Sequence, residues 1–138
     1  MVSMEYKGLQ TSGTFPLDAK TTSAIAADPK AILGKTVTFT NTKSNGIPEV
    51  GYGTANAPLA GIVTVIEEDE TAGAGWVVTV ERSKVFEKVA TASSATTAAP
   101  GAGVAVDGKG GVVTKPEVTN AICMALDAGK ETCLVWVL

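Results

Sequence analysis

Residues 104–114 read VAVDGKGGVVT, two short runs of small and β-branched residues on either side of a glycine-rich loop. Apolar runs that flank a turn containing Asp-Gly are typical of a β-hairpin. A phosphate-binding loop also combines glycine with lysine, but it requires a following helix and a Lys-Ser or Lys-Thr pair, and here a second strand follows. The stretch therefore predicts an antiparallel hairpin with strands at 104–106 and 112–114.

The same alternation of strands and turns extends in both directions from this hairpin. Downstream, apolar runs at 121–126 and 132–138 flank the turn residues Asp127-Ala128-Gly129-Lys130. Upstream, Asn45-Gly46 marks a hairpin turn, and residues 90–99 form a low-complexity stretch that predicts a loop. Further strands are predicted at 36–40, 58–68, 76–82 and 84–89. We expect seven to nine strands and almost no helix, hence an all-β fold, either a small antiparallel β-barrel or a sandwich.

Residues 1–34 differ from the remainder, because their apolar side chains follow no sustained period. A short helix at 22–27 would be ended by Asp28-Pro29. The segment is either a disordered terminus or an extended N-terminal arm that becomes ordered on another surface. Its apolar residues favour the arm, which gives an arm at 1–34 and a β-rich domain at 35–138. The candidate contact residues of the arm, with a capsid or another subunit as partner, are Tyr6, Leu9, Phe15, Pro16, Leu17 and Ile32.

Composition argues against several classes of protein. The chain has 138 residues, a net charge of −3 and no clustered lysine or arginine, so nucleic-acid binding is not expected. The apolar runs are of strand length, which predicts no membrane span. The N-terminus lacks the pattern of a signal peptide, so we expect folding in a cytoplasm.

Candidate chemistry is sparse. Histidine is absent, which removes the commonest general base and metal ligand. The acidic run Glu67-Glu68-Asp69-Glu70 lacks the spacing of a calcium loop, so we interpret it as a solvated loop. Trp76 and Trp136 each lie in a valine-rich run, which favours a core or subunit-contact role. We therefore predict no catalytic residues, no metal and no cofactor.

Cys123 and Cys133 are the only cysteines. If Ala128-Gly129 form a two-residue loop, Cys123 lies opposite Leu134, and the two thiols point to opposite faces of the hairpin. A three-residue loop would instead place Cys123 opposite Cys133, close enough for a disulfide. We favour the first register because Asp127 and Lys130 flank the Ala-Gly pair. Cytoplasmic folding also favours two reduced cysteines. A metal site would need additional ligands.

The C-terminal half resembles the head decoration proteins of tailed bacteriophages, which are also called capsid cement or head-stabilising proteins. The resemblance rests on the hairpin GAGVAVDGKGGVVT at 101–114, the strand AICMALDAG at 121–129 and the final β-strand, and it covers roughly residues 61–138. The length of the arm and the region 41–59 depart from the family pattern.

This resemblance implies a β-tulip-like, non-enzymatic protein on the outer surface of the virion. Such a protein is synthesised in the host bacterial cytoplasm, forms homotrimers in many cases, and binds the major capsid protein of the expanded head. Extended N-terminal segments in this family order on the shell, which would give the arm at 1–34 a role. The alternative function is a phage tail or fibre β-module, or a carbohydrate-binding surface domain.

Overall fold

A computed structural model describes residues 12–69, 75–82, 84–90, 101–115, 117, 120–127 and 132–137. These residues form ten β-strands, one α-helix and one 3₁₀ turn, which confirms the all-β prediction. The helix α1 spans Ala19–Ala24, and the 3₁₀ turn spans Pro29–Ile32. The strands are β1 (Ser12–Pro16), β2 (Thr36–Ser44), β3 (Ile47–Gly51), β4 (Gly61–Asp69), β5 (Gly75–Glu81), β6 (Lys84–Ala90), β7 (Val104–Val106), β8 (Val112–Thr114), β9 (Ala121–Asp127) and β10 (Thr132–Val137).

Five antiparallel strands form a nearly closed barrel in the order β1-β5-β4-β2-β3. The two ends of this sheet meet where Leu17 forms a parallel bridge with Val50. A backbone hydrogen bond supports the closure, because the Asp18 N–H donates to the Val50 carbonyl at 2.9 Å. The Leu17 N–H donates to the Trp76 carbonyl at 2.8 Å, which extends the pairing of β1 with β5. Closure satisfies backbone groups that an open sheet edge would leave exposed.

The barrel core consists mainly of valine and isoleucine. Alternate residues of a strand point to the same face, so each strand contributes inward β-branched side chains. Each fully buried side chain of this size contributes about 1.5–3 kcal/mol relative to an exposed one. The buried members are Leu17, Ile25, Ile32, Val37, Val50, Val63, Val78 and Val80.

The C-terminal strands form a three-stranded sheet in the order β6-β10-β9 and a separate hairpin, β7-β8. The hairpin joins the sheet through an antiparallel bridge between Gly103 and Ile122. The Cys123 N–H also donates to the Ala102 carbonyl at 2.8 Å. The predicted hairpin at 104–114 is confirmed: Val106 pairs with Val112, and Gly108 and Gly110 have positive φ, as its tight loop requires.

A second buried cluster lies between these C-terminal strands and the barrel. It includes Leu59, Val106, Cys133 and Val135, together with Ile62 of β4. The next residue of β4, Val63, points into the barrel core instead. Strand β4 is therefore a shared wall with one apolar core on each side.

Hydrogen bonds of Thr36 join the barrel to the loop of the β7-β8 hairpin. Its N–H donates to the Gly110 carbonyl at 2.8 Å, and its buried hydroxyl donates to the Gly111 carbonyl at 2.6 Å. The Asp107 carboxylate in turn accepts bonds from the Lys109 and Gly111 N–H groups at 2.7 and 2.8 Å. The glycine-rich loop is thus held in shape by Asp107 and attached to the barrel through Thr36.

Helix α1 packs against the end of β3 through its first turn. The Asp18 carboxylate caps the helix by accepting from the Thr21 N–H at 2.9 Å. The Thr21 hydroxyl accepts from the Tyr52 N–H at 3.0 Å. Gly51 lies directly against these groups, because a Cβ at this position would be 2.5 Å from both Asp18 Oδ1 and Thr21 Oγ1.

The boundary predicted after Gly34 is not a boundary of the packed fold. Residues 12–16 pair with β5, and Leu17, Ile25 and Ile32 are buried in the barrel core. The sequence obscured this role because Gly13 and Pro16 interrupt the alternation of a strand that lies beside β5. Residues 1–11 of the predicted arm lie outside the described residues.

Other differences from the sequence predictions are local. Strand β3 was not predicted, because Pro48 weakens its strand pattern. The acidic residues Glu67, Glu68 and Asp69 belong to β4 and not to a loop. The short helix starts three residues earlier than predicted, after its Asp18 cap. Ala90, the first residue of the predicted loop at 90–99, is the last residue of β6, and the other residues of that loop lie outside the described residues. Among the described residues, no helix has the length and apolarity needed to cross a membrane.

The close approach at Gly51 yields a stability prediction. Gly51→Ala inserts a methyl group against the Asp18 carboxylate and the Thr21 hydroxyl, so we expect the free energy of unfolding to fall by about 1–3 kcal/mol. Gly75→Ala is the matched control, because no atom lies within 4 Å of a Cβ there; its stability should stay constant or rise by up to about 1 kcal/mol. Urea denaturation of both variants measures the difference. Equal changes would contradict the proposed packing.

Candidate functional site

A concave surface lies at one end of the barrel, where β1 begins, β5 ends and β4 begins. Strand β2 pairs with β4 only through Thr36 and Val37. Because β4 begins at Gly61, opposite Val37, the following part of β2 extends beyond the end of β4. Phe39 lies in this part of β2. Its side chain points to the same face as Val37, yet 46% of it is exposed. Among the described strands, β4 does not extend beside β2 as far as Phe39.

Phe15 of β1 lies beside Phe39 and completes an aromatic pair. The ring centroids are 5.1 Å apart and the rings are nearly perpendicular, at 89°. Edge-to-face pairs of this kind contribute about 0.5–1.5 kcal/mol beyond the area that they bury. The Phe15 ring also folds back over Gly13, where a Cβ would be 2.9 Å from Phe15 Cε2. Glycine at position 13 therefore allows the ring to take this position.

Cavities of about 400 Å³ and about 500 Å³ adjoin at Phe39. Both contain Phe39, Ala60 and Arg82 in their walls, and a third cavity of about 300 Å³ continues along β2 from Phe39. We refer to the two larger cavities together as the Phe39 groove. Its lining includes Phe15, Phe39, Pro58, Leu59, Ala60 and Arg82.

The chemistry of the Phe39 groove is that of a binding surface. Its lining combines polar residues such as Ser12 and Thr14 with the two phenylalanine rings, and it reaches the barrel core at Val80. Its rim carries Arg82, which is exposed, and Asn120, whose side-chain amide donates to the Leu59 carbonyl at 2.7 Å. The groove thus presents an aromatic surface beside a cationic and an amide side chain.

A second exposed apolar surface lies on the outer side of β9 and β10, formed by Ile122, Met124, Leu134 and Trp136. We refer to it as the outer face. Trp136 pairs directly with Ile122, so both side chains point to the same side of the sheet. Met124 is 40% exposed and Trp136 39% exposed. Large apolar side chains grouped on one sheet face are typical of protein contacts.

The register of β9 and β10 differs from both registers considered from the sequence. Asp127 pairs with Thr132, so residues 128–131 connect the two strands. Leu134 pairs with Ala125 and Val135 with Cys123, which leaves Met124 as the extra residue of a β-bulge. A bulge of one residue reverses the face on which the following residues lie.

This bulge places both cysteines on the inner side of the sheet, so the prediction that they point to opposite faces is wrong. Cys123 and Cys133 are not joined by a disulfide, and both thiols are buried in the same apolar cluster. Burial, and then the proximity and hydrogen bond of Cys123, raise the pKa of the Cys133 thiol from 9.0 to about 12. A thiol with this pKa is protonated at neutral pH and is a poor nucleophile.

The candidate contact residues predicted from the sequence are found in different environments. Leu17 and Ile32 are buried inside the barrel and present no surface to a partner. Phe15 and Pro16 are half-buried, and Phe15 lines the Phe39 groove. Tyr6 and Leu9 lie outside the described residues.

Sequence reasoning missed Phe39 and Arg82 as site residues. The alternation of Val37 and Phe39 correctly predicted a shared face, but it gave no indication that β4 begins too late to cover Phe39. In the part of the chain that the structure describes, no group of three or more His, Cys, Asp or Glu residues is placed to hold a metal ion. No family model, no curated protein and no solved structure matches this chain.

The buried Cys133 thiol predicts a pH-dependent stability difference. Above pH 9.0 the unfolded chain loses the thiol proton, whereas the folded chain retains it up to about pH 12. The thiol therefore favours unfolding as the pH rises through this window. Cys133→Ala lacks this effect, so the stability advantage of the wild type over the variant should shrink by about 1 kcal/mol between pH 8 and pH 10. Urea denaturation at both values measures the gap, and a gap that does not change with pH would show that Cys133 is not protected.

Proposed function

We propose that this chain is a decoration, or cement, protein of a tailed-bacteriophage head. In this proposal it is a non-enzymatic protein without a cofactor, made in the host cytoplasm and located on the outer surface of the virion. It binds the major capsid protein of the expanded head as a homo-oligomer, with a trimer favoured. By bridging neighbouring capsid subunits, it opposes the pressure of the packaged DNA.

The observation that carries the proposal is the resemblance of residues 61–138 to that family. Its motifs correspond to structural units of this chain: the stretch at 101–114 contains the β7-β8 hairpin, and the stretch at 121–129 contains β9. These units pack on a shared apolar core. The motifs that resemble the family are therefore packed together and are not scattered over the molecule.

The exposed apolar surfaces give this proposal a physical basis. A cement protein acts through contact area, and many equivalent copies on one shell add their binding energies. The outer face, with Trp136 at its centre, is the proposed contact between copies. Tyr6 and Leu9 remain the proposed contacts with the capsid.

A carbohydrate-binding or tail-fibre module is the second candidate. The Phe39 groove favours it, because an exposed aromatic ring beside Arg82 and Asn120 combines a stacking surface with planar polar groups. Binding of purified glycans to the wild type, and loss of that binding in Phe39→Ala, would support this candidate over the first.

The capsid proposal is tested with purified protein and expanded, undecorated heads. We expect stoichiometric co-sedimentation and increased resistance of the heads to heat and chelator. Trp136→Ser should reduce self-association in sedimentation velocity and weaken head binding by at least tenfold, because it removes the largest side chain of the outer face. Val65→Ser is the matched control, because Val65 is similarly exposed, at 42%, on the barrel. Failure of the wild type to bind heads, together with unchanged heat and chelator resistance, would reject the proposal.

A further inference from the structure

We infer that the Phe39 groove binds an acidic glycan, that is, a chain of sugars that carry carboxylates. One sugar ring packs its C–H face on Phe39, and a carboxylate of the same glycan binds Arg82. The inference rests on the carbohydrate-binding candidate and deepens it by naming the class of glycan. It does not depend on head binding.

The alternation of side chains along β1 and β5 directs an aromatic and a cationic group to the same end of the barrel. Phe15 pairs with Val78, whose side chain lies in the barrel core, and directly opposed residues share a face of the sheet. Val80 is the next inward residue of β5, and Arg82 follows it with the same spacing. Arg82 therefore lies at the open end of the barrel, where it shares both cavities of the groove with Phe39.

Phe39 supplies a fixed surface for stacking. Its ring is 46% exposed, and the edge-to-face contact with Phe15, at 5.1 Å between the ring centroids, holds it in place. A sugar ring has one face rich in C–H groups, which packs on an aromatic ring while the sugar hydroxyls stay available for hydrogen bonds. A side chain that is already held in position loses little conformational entropy when a ligand binds.

Polar side chains surround this ring. Thr14, Thr38 and Asn41 line the groove. Asn120 also lines it, and its side-chain amide donates to the Leu59 carbonyl at 2.7 Å. This bond orients the Asn120 side chain, whose carbonyl oxygen can accept a hydrogen bond from a sugar hydroxyl. Hydroxyl and amide groups beside an exposed ring match a ligand that has one apolar face and many hydroxyl groups.

The charge of the groove favours an anionic ligand. Among the described residues, the walls of its two cavities contain Arg82 as the one charged residue. The cavity that continues along β2 adds Lys20 and Asp18, and the Asp18 carboxylate already caps α1. The groove is therefore cationic, although the whole chain has a net charge of −3. A guanidinium binds a carboxylate through two parallel hydrogen bonds, so Arg82 selects an acidic sugar over a neutral one.

The backbone of β2 favours a glycan over an acidic peptide. A peptide adds to an open sheet edge as a further strand, which requires a regular ladder of N–H and C=O groups. Beside the groove, the pairing of β2 with β3 shifts its register between Phe39 and Lys43, and Asn41 has a φ of 64°, in the left-handed region. Such an irregularity interrupts the addition of a strand.

Calorimetric titration of the full-length chain tests the inference. The ligands are oligosaccharides of polygalacturonate, alginate and polysialic acid, each compared with its carboxyl-reduced, neutral form. Polyglutamate serves as the anionic peptide. We expect at least one acidic glycan to bind about tenfold more tightly than its neutral form at low salt. This difference should shrink as the salt concentration rises from about 50 to about 300 mM, because Arg82 is exposed.

Two variants separate the roles of the guanidinium and the ring. Arg82→Gln should remove most of the preference for the acidic form and leave binding of the neutral form within about twofold. Lys43→Gln is the matched control, because it removes the same charge from an exposed residue of β2 that lines neither cavity. Phe39→Leu keeps an apolar side chain in place of the ring and should weaken binding of both forms by about fivefold.

Equal binding of the acidic and neutral forms would overturn the inference and leave the carbohydrate-binding candidate in place. The inference would also be overturned if polyglutamate bound as tightly as the acidic glycans, if Lys43→Gln had the same effect as Arg82→Gln, or if Phe39→Leu had none. If no glycan binds in either form, both the inference and the candidate on which it rests are rejected.

Discussion

Closure of the barrel between β1 and β3 is the constraint on which the rest of the structure depends. Leu17 follows β1 and bridges to Val50 of β3, which brings the two ends of the sheet together, and its N–H donates to the Trp76 carbonyl of β5. The next residue, Asp18, caps α1 and donates to Val50. This close approach leaves no space for a side chain at Gly51. The N-terminal residues from Ser12 onward are therefore a structural element of the barrel and not an appendage.

The groove follows from this closure. After Val37, strand β2 leaves β4 and continues beside β3, which carries it toward β1. Strand β4 lies beside β2 only as far as Val37. The next inward residue of β2, Phe39, therefore lies at the end of the barrel and is partly exposed. Phe15 is brought to Phe39 by β1, the strand that closes the sheet. The pairing of β2 with β3 after Val37 and the closure of the sheet by β1 therefore produce both the buried barrel core and the Phe15–Phe39 pair at its end.

Local turn chemistry made part of this fold predictable from the sequence. The glycines after Asp107 and the Asn45-Gly46 pair correctly marked two hairpins, because glycine and asparagine adopt the positive φ that these turns require. The valine-rich runs correctly marked most strands of the two cores, whereas β1 and β3 of the barrel were missed. The bulge at Met124 could not be predicted, because an extra residue in one strand depends on the neighbouring strand and not on a local pattern. The exposure of Phe39 was hidden for the same reason, since it depends on where β4 begins.

The bulge in β9 also determines which side chains of the C-terminal sheet face inward and which face outward. By shifting the register once, it directs Cys123 and Cys133 inward and leaves Met124 exposed near Trp136. Without it, one thiol would lie on the outer face, where it would be accessible to oxidants. The same irregularity therefore places both thiols in the buried core and leaves on the opposite side an apolar surface that contains no cysteine.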